Sequence, residues 1–203
     1  MIPTLRRLRV AATTLALLLL TATHAHATTP DPRFSSVDPV LVGNSSGVAV
    51  GVAPAGFDVM VRSVNNEPVP GHFVTIDFSN TTMKLHAVQN PGTTIDCALR
   101  VIRQVTNASG AVKFAARVGG YSNTNAIEVY DEGVLLATVK GRSTDLDGMG
   151  GTTSLGDFVL FAQNFTSTAP ETDFDQSGTT GLGDFVIFAE EYLRGTSAAA
   201  YCP

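Results

Sequence analysis

Tryptophan is absent from the 203 residues, tyrosine occurs four times, histidine four times and cysteine twice. With no tryptophan and with scattered tyrosines, an aromatic platform for stacking sugars has little material. His72 and His86 are the only histidines beyond position 26. They lie far apart in sequence, so no zinc motif or catalytic triad assembles from them; both are expected at the surface or rim. Gly43-Asn-Ser-Ser-Gly47 has nucleophile-elbow spacing, but that motif needs a helix after it. The following Val48-Ala-Val-Gly-Val52 reads as strand, so a polar loop is expected, and the chain is read as non-enzymatic. Positive charge is also scarce late in the chain: from Ser143 onward nine acidic residues face Arg194 alone. That imbalance argues against nucleic acid and anionic membranes as partners and for cation binding.

Long apolar runs are missing except at the start, where Arg6, Arg7 and Arg9 precede an apolar stretch from Val10 to Leu20. Ala25-His26-Ala27 then offers a small-x-small cleavage pattern. This is the form of a secretory signal peptide, too short for a membrane span. Cleavage after Ala27 and a secreted or cell-surface location are expected. The remainder divides into a linker at 28–36, a β domain at 37–142, an acidic repeat region at 143–194 and a tail at 195–203. Each unit is near the lower size limit for a self-sufficient core. An exported chain with two cysteines permits one disulfide, Cys97 to Cys202. Equally, Cys97 can be a buried small residue and Cys202 a free thiol; sequence alone leaves both open.

Between 37 and 142 the apolar residues alternate in short runs separated by turn formers. Phe73-Val-Thr-Ile-Asp-Phe78 puts Val74, Ile76 and Phe78 on one face. Ala111 to Val118 places Val112, Phe114, Ala116 and Val118 inward, with Lys113 and Arg117 outward. Phe57 to Val64 is a further strand. Ala126 to Asp131 and Val134 to Lys140 flank Glu132-Gly133 as a hairpin. Period-two alternation without a helix predicts an antiparallel β-sandwich. Asn65-Asn-Glu-Pro-Val-Pro-Gly71 and Thr106-Asn-Ala-Ser-Gly110 are turns between these strands. On these segments the region resembles the bacterial immunoglobulin-like domains of the invasin and intimin type.

The rest of the chain is organised by a duplication. Gly151-Thr-Thr-Ser-Leu-Gly-Asp-Phe-Val-Leu-Phe-Ala-Gln-Asn-Phe165 returns 27 residues later as Gly178 to Tyr192, with ten of fifteen positions identical. Each copy follows an Asp-x-Asp. In the second, Asp173, Asp175 and Ser177 occupy positions 1, 3 and 5 of a twelve-residue calcium loop, with Gly178 at the sharp turn. Thr179 offers its carbonyl at position 7, and Asp184 closes the cage. In the first copy Asp145 and Asp147 fit positions 1 and 3 and Asp157 closes the loop. One extra residue is present, and Met149 stands where a side-chain oxygen belongs, so a backbone carbonyl or water has to substitute. Two calcium ions are expected, held more weakly at 145–157 than at 173–184.

Behind each loop runs an apolar helical stripe: Leu155, Phe158, Phe161, Ala162 and Phe165, then Leu182, Phe185, Phe188, Ala189 and Tyr192. Both stripes are expected to form the core between two short helices. Asp173, Asp175, Ser177, Gly178, Asp184 and Phe188 match the pattern of dockerin domains, and residues 143–193 resemble that family. The resemblance implies a calcium-dependent module that docks a protein partner, cohesin-like or a cell-surface component, often with polysaccharide-degrading enzymes. Two positions depart from the family: Leu182-Gly183 and Leu155-Gly156 stand where a hydroxyl pair commonly contacts cohesin. The chain as a whole is expected to be a secreted, non-catalytic calcium-binding protein, mostly β with a small α module. The β domain would serve as spacer or binding module. The alternative is an accessory subunit of a cohesin-based, polysaccharide-degrading complex.

Overall fold

The computed structural model describes residues 29–49, 56–195 and 200–203. The leader, Thr28 and part of the Val48–Val52 strand reading lie outside them. The described residues are mostly β, with two helices at the C-terminal end. The strands are β1 (Ser36–Val37), β2 (Val40–Gly43), β3 (Phe57–Met60), β4 (Phe73–Asp77), β5 (Lys84–Leu85), β6 (Thr94–Asp96) and β7 (Val101–Val105). They continue with β8 (Ala111–Phe114), β9 (Val118–Gly119), β10 (Ser122–Asp131) and β11 (Val134–Ser143), before helices α1 (Leu155–Asn164) and α2 (Leu182–Arg194). Among the described residues no helix is long and apolar enough to cross a membrane.

A six-stranded sheet runs β2-β11-β10-β4-β7-β6, and a three-stranded sheet β1-β3-β8. Alternating residues from both sheets meet in one apolar core, with Phe57 and Phe114 from the small sheet and Ile76, Ile102 and Ile127 from the large one fully buried. The Glu132-Gly133 hairpin forms as the pattern predicts. Both residues have positive φ, +45° and +86°, which suits the twist of two strands joined by two residues.

Three expectations need correction. The sheet is not wholly antiparallel, because β2 pairs parallel with β11, from Val40 opposite Lys140 to Gly43 opposite Ser143. The strand read from Ala111 to Val118 breaks after Phe114, and Val118 changes partner to Leu85 of β5. Polar side chains cover the break: Gln89 accepts from the Arg117 amide at 2.9 Å and donates to its carbonyl at 2.8 Å. His86 is not at the rim but fully buried, because the C-terminal tail lies over it. His72 does sit near the edge, its Nδ1 2.9 Å from the buried Asp131 carboxylate, whose pKa is raised by burial.

The tail is tied down at three points. Ala87 donates to the Ala200 carbonyl at 2.8 Å, Cys202 donates to the Leu85 carbonyl at 2.7 Å, and Cys202 forms a disulfide with Cys97. The open question about the cysteines is thereby answered: they pair across 105 residues.

The helices do not bury the stripes predicted for them. Only Phe161 and Phe188 are fully buried, with ring centroids 5.1 Å apart, while Leu155 and Leu182 are 66% and 74% exposed. Two short helices side by side share one inner row, and the remaining apolar positions turn outward. The rest of the small core comes from elsewhere: Leu146 and Phe174 from the acidic loops and Val42 from β2. Successive β2 residues point to opposite faces, so Leu41 enters the sandwich core and Val42 the helical core. Phe174, a loop residue, should therefore matter more than the helical Phe158. Phe174→Ala is expected to cost about 3–5 kcal/mol, and Phe158→Ala about 1 kcal/mol or less. Urea unfolding followed by helical ellipticity measures both; equal costs would contradict this division of the core.

Candidate metal centre

Each acidic loop closes in the same way. The helix-capping aspartate turns one oxygen back to the loop and the other to the helix start. Asp157 accepts from the Asp147 amide at 3.0 Å and the Ser154 amide at 2.7 Å. Asp184 accepts from the Asp175 amide at 2.8 Å and the Gly181 amide at 2.7 Å. The third-position carboxylates curl onto the amides of Met149 and Ser177, at 2.7 and 3.0 Å. An anionic side chain at a helix start is also favoured by the backbone amides there.

A pair of threonines fastens the base of each loop. The hydroxyls of Thr144 and Thr153 are 2.9 Å apart, and those of Thr172 and Thr180 2.7 Å. All four residues are nearly or fully buried. Sequence reasoning passed over them, although their positions repeat: one residue before the first aspartate and four before the last. This fixes where the extra residue sits, between Asp147 and Gly151. Gly148, Gly150 and Gly151 all have positive φ there, and glycine takes up such turns without strain.

The result is two triads, Asp145–Asp147–Asp157 and Asp173–Asp175–Asp184, each with carboxylate oxygens within 4.8 Å of one another. Asp145, Asp157 and Asp184 are fully buried and Asp173 is 8% exposed. At that separation an ionised pair repels by about 3.5 kcal/mol at an effective dielectric near 20. With all three ionised, the pairs would come to about 10 kcal/mol, comparable to the entire stability of a domain. Burial first, and then the Asp157 and Asp147 charges, push the Asp145 carboxyl up to about 7 against the opposing hydrogen bond from Tyr201. Burial likewise raises Asp184.

One oxygen in each loop is left over. Asp145 Oδ1 and Asp173 Oδ1 are buried and have no hydrogen-bond donor among the described residues. They occupy the same position of the duplicated loop, and each sister oxygen meets a side chain from outside it. Asp145 Oδ2 accepts from the Tyr201 hydroxyl. Asp173 Oδ2 accepts from Gly178 at 3.2 Å and lies 3.6 Å from the guanidinium of Arg142, which also donates to the Asp173 carbonyl. An oxygen-only donor set with buried, undonated carboxylate oxygens fits a hard divalent cation of the calcium type. It does not fit zinc, which favours nitrogen and sulfur.

The remaining sequence candidates contribute differently. Met149 is exposed, and its amide donates to Asp147 Oδ1 at 2.7 Å. The Ser177 hydroxyl donates to the Thr179 carbonyl at 3.0 Å, so these two meet each other in the loop. Gly156 and Gly183, which depart from the dockerin pattern, have a local reason. A Cβ at Gly183 would lie 2.1 Å from Asp175 Oδ2, and one at Gly156 3.1 Å from Asp147 Oδ2. The Asn44 loop that mimics a nucleophile elbow folds on itself, Asn44 donating to the Val48 carbonyl at 2.7 Å.

No protein-family model matches the chain, and no curated protein matches it. Among solved structures, the Yersinia pseudotuberculosis adhesin InvE is similar at 19% identity, over 56% of this chain, with a TM-score of 0.26. The match spans 26% of that adhesin chain.

The glycine contacts predict unequal effects in the two loops. Gly183→Ala should displace the Asp175 carboxylate and weaken terbium binding at the second triad about tenfold. Gly156→Ala, with a looser contact, should weaken the first by less. Terbium titration of each variant measures this, and equal losses would contradict the geometry.

Proposed function

We propose that the chain is an exported, non-catalytic protein in which an immunoglobulin-like β domain carries a dockerin-like module built around two calcium ions. The observation that carries this reading is the pair of buried, undonated oxygens, Asp145 Oδ1 and Asp173 Oδ1, at equivalent points of two acidic loops. A divalent cation turns the repulsion within each triad into attraction, so binding and folding of the module are coupled. Affinity is expected in the range of extracellular calcium modules, roughly 10⁻⁴–10⁻³ M. The Cys97–Cys202 disulfide supports an oxidising compartment.

In this reading the module docks a protein. Leu155, Phe158, Leu182, Phe185, Val186 and Leu193 stay exposed on the helical pair. Phe158, Phe165, Leu182 and Phe185 line a hollow of about 350 Å³ there. Apolar surface left open in this way suits a partner. The β domain acts as spacer or second binding module.

Calcium dependence of the fold is the first test. Chelator should lower both the helical ellipticity and the melting temperature of the mature chain, and added calcium should restore them. An unchanged melt in chelator would sink the proposal. Arg142 provides a sharper check, because its guanidinium partly neutralises the second triad. Arg142→Met should lower the melting temperature of the chelated protein, since it strands Asp173 without its partner. The same change should enlarge the rise on adding calcium, because a competing positive charge is gone. A rise no larger than that of the parent protein would show that no cation sits beside Asp173.

A further inference from the structure

The two loops close in the same way and differ in what reaches them from outside. The first receives the Tyr201 hydroxyl on Asp145 Oδ2. Among the described residues the second has no counterpart of this tyrosine; Arg142 reaches Asp173 Oδ2 from outside, and Gly178 donates to it from within the loop. Tyr201 lies 56 residues beyond Asp145, and nothing in the repeat positions it. The disulfide one residue later does, together with the two backbone bonds to Leu85 and Ala87. The ring of Tyr201 rests on the buried His86, with centroids 4.6 Å apart.

The sandwich is shaped to admit this contact. A Cβ on Gly119 would fall 2.0 Å from the Tyr201 oxygen and 2.9 Å from Asp145 Oδ2, so only glycine leaves room for the pair. The start of the loop is clamped to the same strand. Gly120 donates to the Asp145 carbonyl at 2.6 Å, and Ser143 Oγ donates to the Val118 carbonyl at 2.6 Å while accepting from the Asp145 amide. With Oδ2 and the backbone both fixed, the fully buried Oδ1 of Asp145 is left without a donor among the described residues.

We propose that Tyr201 is a positioning residue for the first cation site, held in place by the Cys97–Cys202 disulfide, so that the redox state of the disulfide sets the affinity of that site and leaves the second site unchanged. The proposal rests on the calcium reading above. A hydroxyl that orients a ligating carboxylate is the outer partner whose loss typically weakens metal binding 10–100-fold. Because coupling between two equilibria is reciprocal, calcium in the first loop must in turn stabilise the seated tail and protect the disulfide.

The test is calcium calorimetry on the mature chain with three changes. Tyr201→Phe keeps the ring on His86 and removes only the hydroxyl; it should weaken one of the two sites about tenfold and leave the other within twofold. Cys97→Ser/Cys202→Ser should weaken the same site by at least as much, with Tyr201 intact. Gly119→Ala should reproduce the effect with both the tyrosine and the disulfide present. In parallel, dithiothreitol reduces the disulfide to two thiols and is itself oxidised to its cyclic disulfide. Calcium should slow this reaction several-fold in the parent chain and not in Tyr201→Phe. Unchanged affinity in Tyr201→Phe, or an equal loss at both sites, would overturn the proposal while the calcium reading stands. Absence of any calcium binding by the parent chain would overturn both.

Discussion

Three carboxylates forced within 4.8 Å of one another, most of them out of reach of water, dominate the energetics of the C-terminal region. Backbone amides absorb part of that charge. Asp157 and Asp184 each take donors from their own loop and helix start. The amides do not reach every oxygen, and the two buried ones left over among the described residues stand at the same point of each repeat. Folding of this region therefore depends on what neutralises the triads. The small core of Phe161, Phe174 and Phe188 works against the repulsion within the two triads.

The acidic region is also built into the β domain and does not merely follow it. Strand β11 ends at Ser143, two residues before Asp145, and Val42 of β2 belongs to the helical core. Arg142 reaches the second loop from the end of β11, and the disulfide brings the tail to the first. Each loop thus takes one side chain from outside the duplication. Internal symmetry set by the repeat is broken by the surface on which it is mounted. The two sites, alike in sequence, then differ in environment: a neutral hydroxyl at one, a buried positive charge at the other.

Local pattern made much of this legible. The Asp-x-Asp spacing and the closing aspartates identified both triads, since a loop of this length has few ways to turn. The Phe57, Phe73, Ala111 and hairpin strands were readable from period-two alternation, and Glu132-Gly133 from its turn chemistry. What escaped depends on distance along the chain. In β7, Val101 and Ile102 are both buried, which breaks the alternation that marks a strand. The helical stripes over-predicted the core, because periodicity shows which face is apolar and not whether anything covers it. Tyr201, Arg142 and the burial of His86 follow from long-range contacts that no local pattern encodes. The threonine pairs were visible in the repeat, but hydroxyls beside acidic residues read as ordinary loop polarity.

The most direct measurement is anomalous diffraction from crystals of the protein grown with calcium. The account predicts two peaks per chain, one about 2.3–2.6 Å from Asp145 Oδ1 and one at the same distance from Asp173 Oδ1. A map with no peak at either oxygen, or with both oxygens turned onto protein donors, would contradict it.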